Sequence, residues 1–304
     1  MLQMIGQTDI KGSRIALGCM RMAKLDLRQA TQVVRTSIDQ GINFFDHADI
    51  YAGGESEVRF SQAMRELQLK REDIVLQSKC GIRQGYFDFS KDYLVAAVEG
   101  SLQRLKVDYL DFLLLHRPDA LVEPEEVAEA FRILKKAGKV RYFGVSNHNP
   151  HQMELLNHYL DSPLAINQMQ LSPAHTPMID AGLNVNMRNE ASIVRDSGTI
   201  DYCRLHQMTI QAWSPFQIDL ERGLFYGNDA YASLTATIDK YAKQYAVAPE
   251  AIILAWILRH PANMQTIIGS MNPERIAKIM AAEELRLTRQ EWYDIYMSAG
   301  NRLP

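Results

Sequence analysis

Apolar and polar positions along the chain follow two periods, and the switch between them recurs eight times. Short apolar runs of strand type come at 15–18, 44–46, 74–79, 109–116, 140–145, 165–168, 209–213 and 266–268. Between them, apolar residues fall three and four apart, the spacing of an amphipathic helix. Such segments cover 27–40, 55–68, 91–105, 125–137, 151–159, 196–206, 234–245 with 250–260, and 273–282. The first carries Ala30, Val33, Val34 and Ile38 on one face; the third carries Leu94, Ala97, Val98, Leu102 and Leu105. Pro124 in the first turn and Gly138 past the end bracket the fourth helix. A hairpin over 4–17, turning at Lys11 and Gly12, leads into the first core strand, and a last helix falls near 289–298.

Strand then helix, eight times over, predicts a parallel sheet, and eight is the count at which such a sheet closes. The expected fold is therefore α/β, a (β/α)8 TIM barrel with an N-terminal β-hairpin and a C-terminal extra helix. No linker-like stretch divides residues 1–304, which read as one domain. The connections 171–195 and 216–233 are long enough to shape a binding site.

Composition narrows the setting. With 304 residues, 47% apolar and 23% charged, the chain has the make-up of a globular protein of barrel size. A formal net charge of −3 argues against a nucleic-acid or anionic-membrane partner. Cys19, Cys80 and Cys203 form no CxxC pair, so a reduced, cytoplasmic setting is expected. The longest apolar run, 251–258, is too short to span a bilayer, which takes roughly 20 residues.

In a barrel the chemistry sits at the carboxyl ends of the strands. The polar residues there are Asp46, Lys79, His116, Ser146 with Asn147, Gln168, Ser214, and Gly269 with Ser270. The stretch 41–51, Gly-Ile-Asn-Phe-Phe-Asp-His-Ala-Asp-Ile-Tyr, ends a strand on Asp46 and reaches Tyr51 through one tight loop. Each candidate has an ordinary alternative: a satisfied core histidine, a lysine opening an exposed loop, an aspartate capping a turn, a packing tyrosine. Together, at the ends of strands two to four, they point to proton transfer through a phenol. A phenol near pKa 10 is a poor acid at neutral pH. A neighbouring ammonium should bring it toward the working range, and a carboxylate should hold that ammonium charged. His116 could orient a substrate oxygen.

Other chemistries find less support. His148 and His151 have no acidic or thiol cluster beside them, so no metal site is expected. Glycoside cleavage needs two acids, and beyond Asp46 only Asp119 and Glu190 offer themselves. A hydride must come from a cofactor. No GxGxxG or GxxxxGK is present, so the usual doubly wound dinucleotide fold is excluded. The segment 268–275, Ile-Gly-Ser-Met-Asn-Pro-Glu-Arg, has the small residues, hydroxyl and arginine suited to phosphate at the last barrel loop. Trp213 could stack on a nicotinamide ring.

By these motifs the chain resembles the aldo-keto reductase family over about 13–282, and its bacterial oxidoreductase branch in particular. They are Gly41 to Asp46 with Tyr51, Lys79, Leu105 to Asp111 with His116, Gly144 to Asn147, Gln168, Trp213 to Pro215, and Ile268 to Arg275. The resemblance implies reduction of an aldehyde or ketone, with Tyr51 as proton donor and Asp46, Lys79 and His116 supporting it. It also implies that Ser146, Asn147 and Gln168 hold the carboxamide of a nicotinamide, with Trp213 against its ring. Ser214 and Pro215 would border the pyrophosphate, and Cys19, Met20, Arg21, Asp46, Gly269 and Asn272 complete the expected cofactor contacts. Ser270 and Arg275 would meet an adenosine 2′-phosphate, implying NADP(H). Gly269 and Ile279 stand where many relatives carry lysine and asparagine, which keeps NAD(H) possible. Substrate contacts are expected from 20–22, 83–87 and the two long connections. A rival reading is a nucleotide-binding regulatory module, as in channel-associated relatives, and a third is a barrel hydrolase working without nucleotide.

Overall fold

The computed structural model describes residues 1–219 and 221–304. Eight parallel strands close into a barrel in chain order. They are β1 (Ile15–Gly18), β2 (Phe44–Asp46), β3 (Val75–Cys80), β4 (Leu110–Leu115), β5 (Val140–Ser146), β6 (Ile166–Gln170), β7 (Thr209–Trp213) and β8 (Gln265–Ile268). Helices α1 (Leu27–Asp39), α2 (Glu55–Glu66), α3 (Lys91–Leu105), α4 (Pro124–Lys136) and α5 (Pro150–Tyr159) follow the first five strands. After β6 come α6 (Pro177–Leu183) and α7 (Thr199–Leu205), and after β7 come α8 (Ala232–Tyr245) and α9 (Pro249–Leu258). The chain ends with α10 (Pro273–Ile279) and α11 (Arg289–Ser298).

Local chemistry sets the helix starts. Asp26 accepts from the Gln29 amide at 2.8 Å, while the Gln29 side chain accepts from the Asp26 amide at 3.0 Å, a reciprocal cap on α1. Asn149 and Gln152 repeat the device at α5, where Pro150 takes the first helical position. The buried face of α1, Ala30, Val33, Val34 and Ser37, packs on the outer faces of the strands in one large apolar layer. The C-terminal helix docks through Trp256 and Trp292, whose rings stack at 4.8 Å and whose indole N–H groups each donate to the other's carbonyl at 3.0 Å.

A second, smaller apolar cluster lies inside the barrel: Ala16, Phe44, Val75 and Phe112 fill its lower part, with Ile5 and Ile10 plugging the floor. Those two come from the N-terminal hairpin, which pairs Leu2–Met4 with Lys11–Ser13. Its turn therefore lies at 5–10, and the expectation of a turn at Lys11 and Gly12 is corrected. The long connections also hold more structure than expected. Besides α6, 171–195 carries a short helical turn at Glu190–Ser192, and 216–233 opens with a small hairpin, Gln217–Asp219 against Gly223–Leu224. A further hairpin, Ile82–Arg83 with Tyr86–Phe87, follows β3.

Gly144 lets β5 approach β6. A Cβ there would lie 2.8 Å from the Ile166 carbonyl oxygen, which is backbone and cannot swing away. Gly144→Ala is expected to destabilise the protein by about 1–3 kcal/mol, read as a lower urea midpoint with unchanged slope.

Candidate active site

Side chains along a strand alternate between faces. Val75, Gln77 and Lys79 of β3 therefore enter the barrel, while Leu76 belongs to the outer layer. Lys79 is buried with its side chain 0% exposed, so it is no loop residue. Its Nζ donates to Asp46 Oδ1 at 2.6 Å, to the His47 carbonyl at 2.7 Å and to the Tyr51 hydroxyl oxygen at 3.2 Å, using all three protons. Burial acts to lower the Lys79 pKa, but Asp46 and Tyr51 outweigh it and the amine titrates above its ordinary 10.5. It is a fixed cation.

Tyr51 stands on the turn after β2, where Ala52, Gly53 and Gly54 all take positive φ (51°, 63° and 95°). Lys79 lies 5.0 Å from the centre of its ring, and the His116 ring meets it edge-on at 6.0 Å. The phenol is not shifted toward neutrality, contrary to the expectation. Burial raises its pKa, Lys79 only partly offsets this, and the hydroxyl titrates above its ordinary 10.0. Burial, then Lys79 and Arg117, hold His116 well below 6.5. A neutral imidazole can donate a hydrogen bond but is no useful acid, whereas the phenol still carries a proton it can give up.

Beneath this group lies a polar layer. Gln77 and Gln168 donate to Asp46 Oδ1 at 2.6 and 3.2 Å and to Gln211 at 2.9 and 2.8 Å, and Gln211 donates to Gln265 at 2.8 Å. Asp46 is thereby held by strands β3 and β6 at once. With both protons of its amide engaged, Gln168 keeps its carbonyl oxygen for the cleft above.

A cleft of about 1080 Å³ opens over these residues. Asp46, Tyr51, His116, Ser146, Asn147, Gln168, Trp213, Ser214, Pro215, Met20, Arg21, Gly269, Ser270, Asn272 and Arg275 all line it, and Lys79 lies just below. Asn147 and Ser214 take positive φ (60° and 51°) at the ends of β5 and β7, the kind of strain that gathers at functional sites. Asn147 accepts from the Trp213 indole at 3.1 Å and donates to Ser146 at 2.7 Å, fixing the indole plane. Asn272 is tied to the Arg275 amide at 3.1 Å. Cys19 is a correction: it is fully buried, its thiol continuing the outward face of β1 into the helix layer, and it does not line the cleft. Of the expected substrate segments, 171–195 and 83–87 contribute nothing to the lining, Met22 is buried, and 216–233 supplies Phe216, Gln217, Gly223, Leu224 and Tyr226.

The aldo/keto reductase family profile matches residues 14–297. The chain belongs to this family. Oxidoreductase YdhF of Escherichia coli is 34% identical over 298 residues, covering 94% of this chain and 93% of that protein. A 6-dehydroglucose reductase of Novosphingobium aromaticivorans is 34% identical over 310 residues, covering 99% and 96%. The crystal structure of the thermostable aldo-keto reductase Tm1743 with the inhibitor epalrestat superposes with a TM-score of 0.80 at 22% identity, over 98% of this chain and 99% of that one. The protein is accordingly an NAD(P)H-dependent oxidoreductase with the barrel fold. Among the described residues no helix is long and apolar enough to cross a membrane.

Sequence reasoning passed over four residues of this aldo-keto reductase. Gln77 and Gln211 sit at inward positions of β3 and β7, two residues from Lys79 and Trp213, a signal that strict period-two counting would have found. Arg117 directly follows His116 and was hidden by it. Glu250, beside Arg275, has no signal in sequence, because only the fold brings the start of α9 to the cleft.

Proposed function

We propose that this aldo-keto reductase reduces a small aldehyde or ketone to the alcohol with NADPH, Tyr51 donating the proton. The observation that carries the reading is the single Lys79 ammonium bonded to both Asp46 and Tyr51, beneath a cleft that Tyr51 and His116 share. The nicotinamide, when bound, supplies the hydride to the carbonyl carbon. Tyr51 gives its proton to the carbonyl oxygen, and Lys79 stabilises the phenolate left behind. His116 orients that oxygen with a neutral N–H. The residues present fit the cofactor: the spare carbonyl oxygen of Gln168 suits an amide N–H₂, the fixed Trp213 ring suits stacking, and Ser270 and Arg275 suit a phosphate. NADPH oxidation against a panel of aldehydes and ketones, a sugar aldehyde among them, tests the proposal. Turnover of at least one member is expected; none, from folded protein that binds NADPH, contradicts it.

The preference for NADPH over NADH is set, in this reading, by two residues. Arg275 Nε lies 3.4 Å from Glu250, so a 2′-phosphate must compete with a carboxylate for the guanidinium. Ile279 is buried and takes no part. Glu250→Gln frees Arg275 and is expected to raise the NADPH-to-NADH ratio of kcat/KM about tenfold, the scale of one charge-assisted contact. A ratio unchanged or lowered would remove Arg275 from the 2′-phosphate site. The same proposal places the protein in the cytoplasm, where the buried free thiols of Cys19, Cys80 and Cys203 stay reduced.

A further inference from the structure

Among the described residues three guanidinium groups line the cleft, and two of them have partners. Arg275 is paired with Glu250, and Arg21 Nη1 donates to the Gly269 carbonyl at 3.2 Å. Arg117 is different. Among the described residues no carboxylate lies within ion-pair distance of it and no hydrogen bond reaches its guanidinium. Its one specific contact is the Trp213 ring, whose centre is 5.8 Å from Cζ. The nearest acid along the chain, Asp119, is already used: its oxygens accept from the Phe89 and Leu121 amides at 3.1 and 2.8 Å. Burial depresses the Arg117 pKa and no neighbouring charge is there to raise it.

A half-buried cation without a counter-charge is costly, and an arriving anion relieves that cost. The guanidinium presents a planar fork that matches a carboxylate through two parallel hydrogen bonds. The other two arginines lie by β8 and α9 with partners of their own, so Arg117 offers its fork alone. Arg117 directly follows His116, and consecutive Cα atoms are only about 3.8 Å apart. Tyr51, His116 and Arg117 also line one cleft, so a carbonyl at the first two and an anion at the third can be parts of one small molecule.

We propose that Arg117 is the substrate-recognition residue, and that the preferred substrate is a carbonyl compound carrying a carboxylate, an oxo acid or acid semialdehyde. The proposal rests on Tyr51 and His116 being the reducing centre. Succinic semialdehyde and butanal have four carbons each and differ by the carboxylate, so their ratio of kcat/KM isolates it. The wild-type ratio should favour succinic semialdehyde by about 10- to 100-fold, mostly through KM. In Arg117→Met it should fall to near one, and Arg117→Lys should keep part of the preference. A wild-type ratio at or below one, or one that survives in Arg117→Met, overturns the proposal. So does a neutral sugar aldehyde that outruns succinic semialdehyde. Loss of NADPH affinity in Arg117→Met as large as the loss of substrate preference would assign the residue to the nucleotide and overturn it equally.

A binding arm separates this inference from the reductase reading. 4-Hydroxybutanoate, the alcohol product, is titrated against tryptophan fluorescence, with Trp213→Phe to assign the signal. A saturable Trp213 response that Arg117→Met lacks supports the anion site even if no carbonyl is turned over. No response in the wild type overturns it even if butanal is reduced.

Discussion

Tyr51→Phe is expected to lower the turnover of carbonyl reduction by about 10²- to 10⁴-fold, the contribution of a positioned general acid, with the NADPH dissociation constant changed by no more than about twofold. The substitution removes one oxygen and leaves the ring between Lys79 and His116. Lys79 loses its 3.2 Å contact but keeps Asp46 at 2.6 Å and the His47 carbonyl at 2.7 Å, so the buried cation stays solvated and the fold holds. His116 cannot substitute, because burial keeps it neutral across the physiological range. Steady-state kinetics and a fluorescence titration check the two halves of this expectation. Activity retained within tenfold would place the proton elsewhere, on His116 or on water.

Asp46→Asn should show the largest effect on stability, about 3–5 kcal/mol at pH 7, because it leaves a fully buried ammonium without its counter-charge. The hydrogen bonds from Gln77 and Gln168 can persist to the new amide oxygen, so the loss is that of the charge. Its pH dependence has a definite sign. In the wild type the folded Lys79 pKa lies above the ordinary 10.5. Its stabilisation is complete below that value and is lost as pH rises through the raised one, since the native state then holds the extra proton. In the variant, burial acts unopposed by Asp46 and the folded pKa falls below the unfolded one. Raising the pH from 7 toward 10 should then relieve part of the destabilisation. Urea unfolding at pH 7 and pH 9.5 reads both values; a variant no less stable than wild type would show that the pair carries no net charge coupling.

The barrel was legible because its signal is periodic and repeated. Apolar strands that alternate with amphipathic helices leave few other closures, and α11 falls where a last helix near 289–298 was expected. The grouping of Asp46, Lys79 and His116 with Tyr51 was legible because the first three each end or follow an apolar strand, where a polar residue stands out. What stayed hidden depends on side-chain direction or on distant parts of the chain. Cys19 follows a core strand just as a site residue would, yet its side chain faces the helices. The balance that leaves Tyr51 with a raised pKa sets burial against one ammonium, and burial cannot be read from residue types alone. Glu250 and Arg275 are far apart in sequence and meet only because α9 and α10 pack side by side. The hairpin 82–87 carries only its first residue, Ile82, to the cleft, so 83–87 stay away from it.

One measurement bears most directly on the central claim: a crystal structure of the protein with NADP⁺ and an unreactive carbonyl analogue. The expected result puts the carbonyl oxygen about 2.6–3.2 Å from the Tyr51 hydroxyl, within reach of a His116 ring nitrogen, with the nicotinamide against Trp213. A nucleotide lodged at the floor beside Ile5 and Ile10, or a carbonyl oxygen beyond hydrogen-bonding range of Tyr51, would contradict the account.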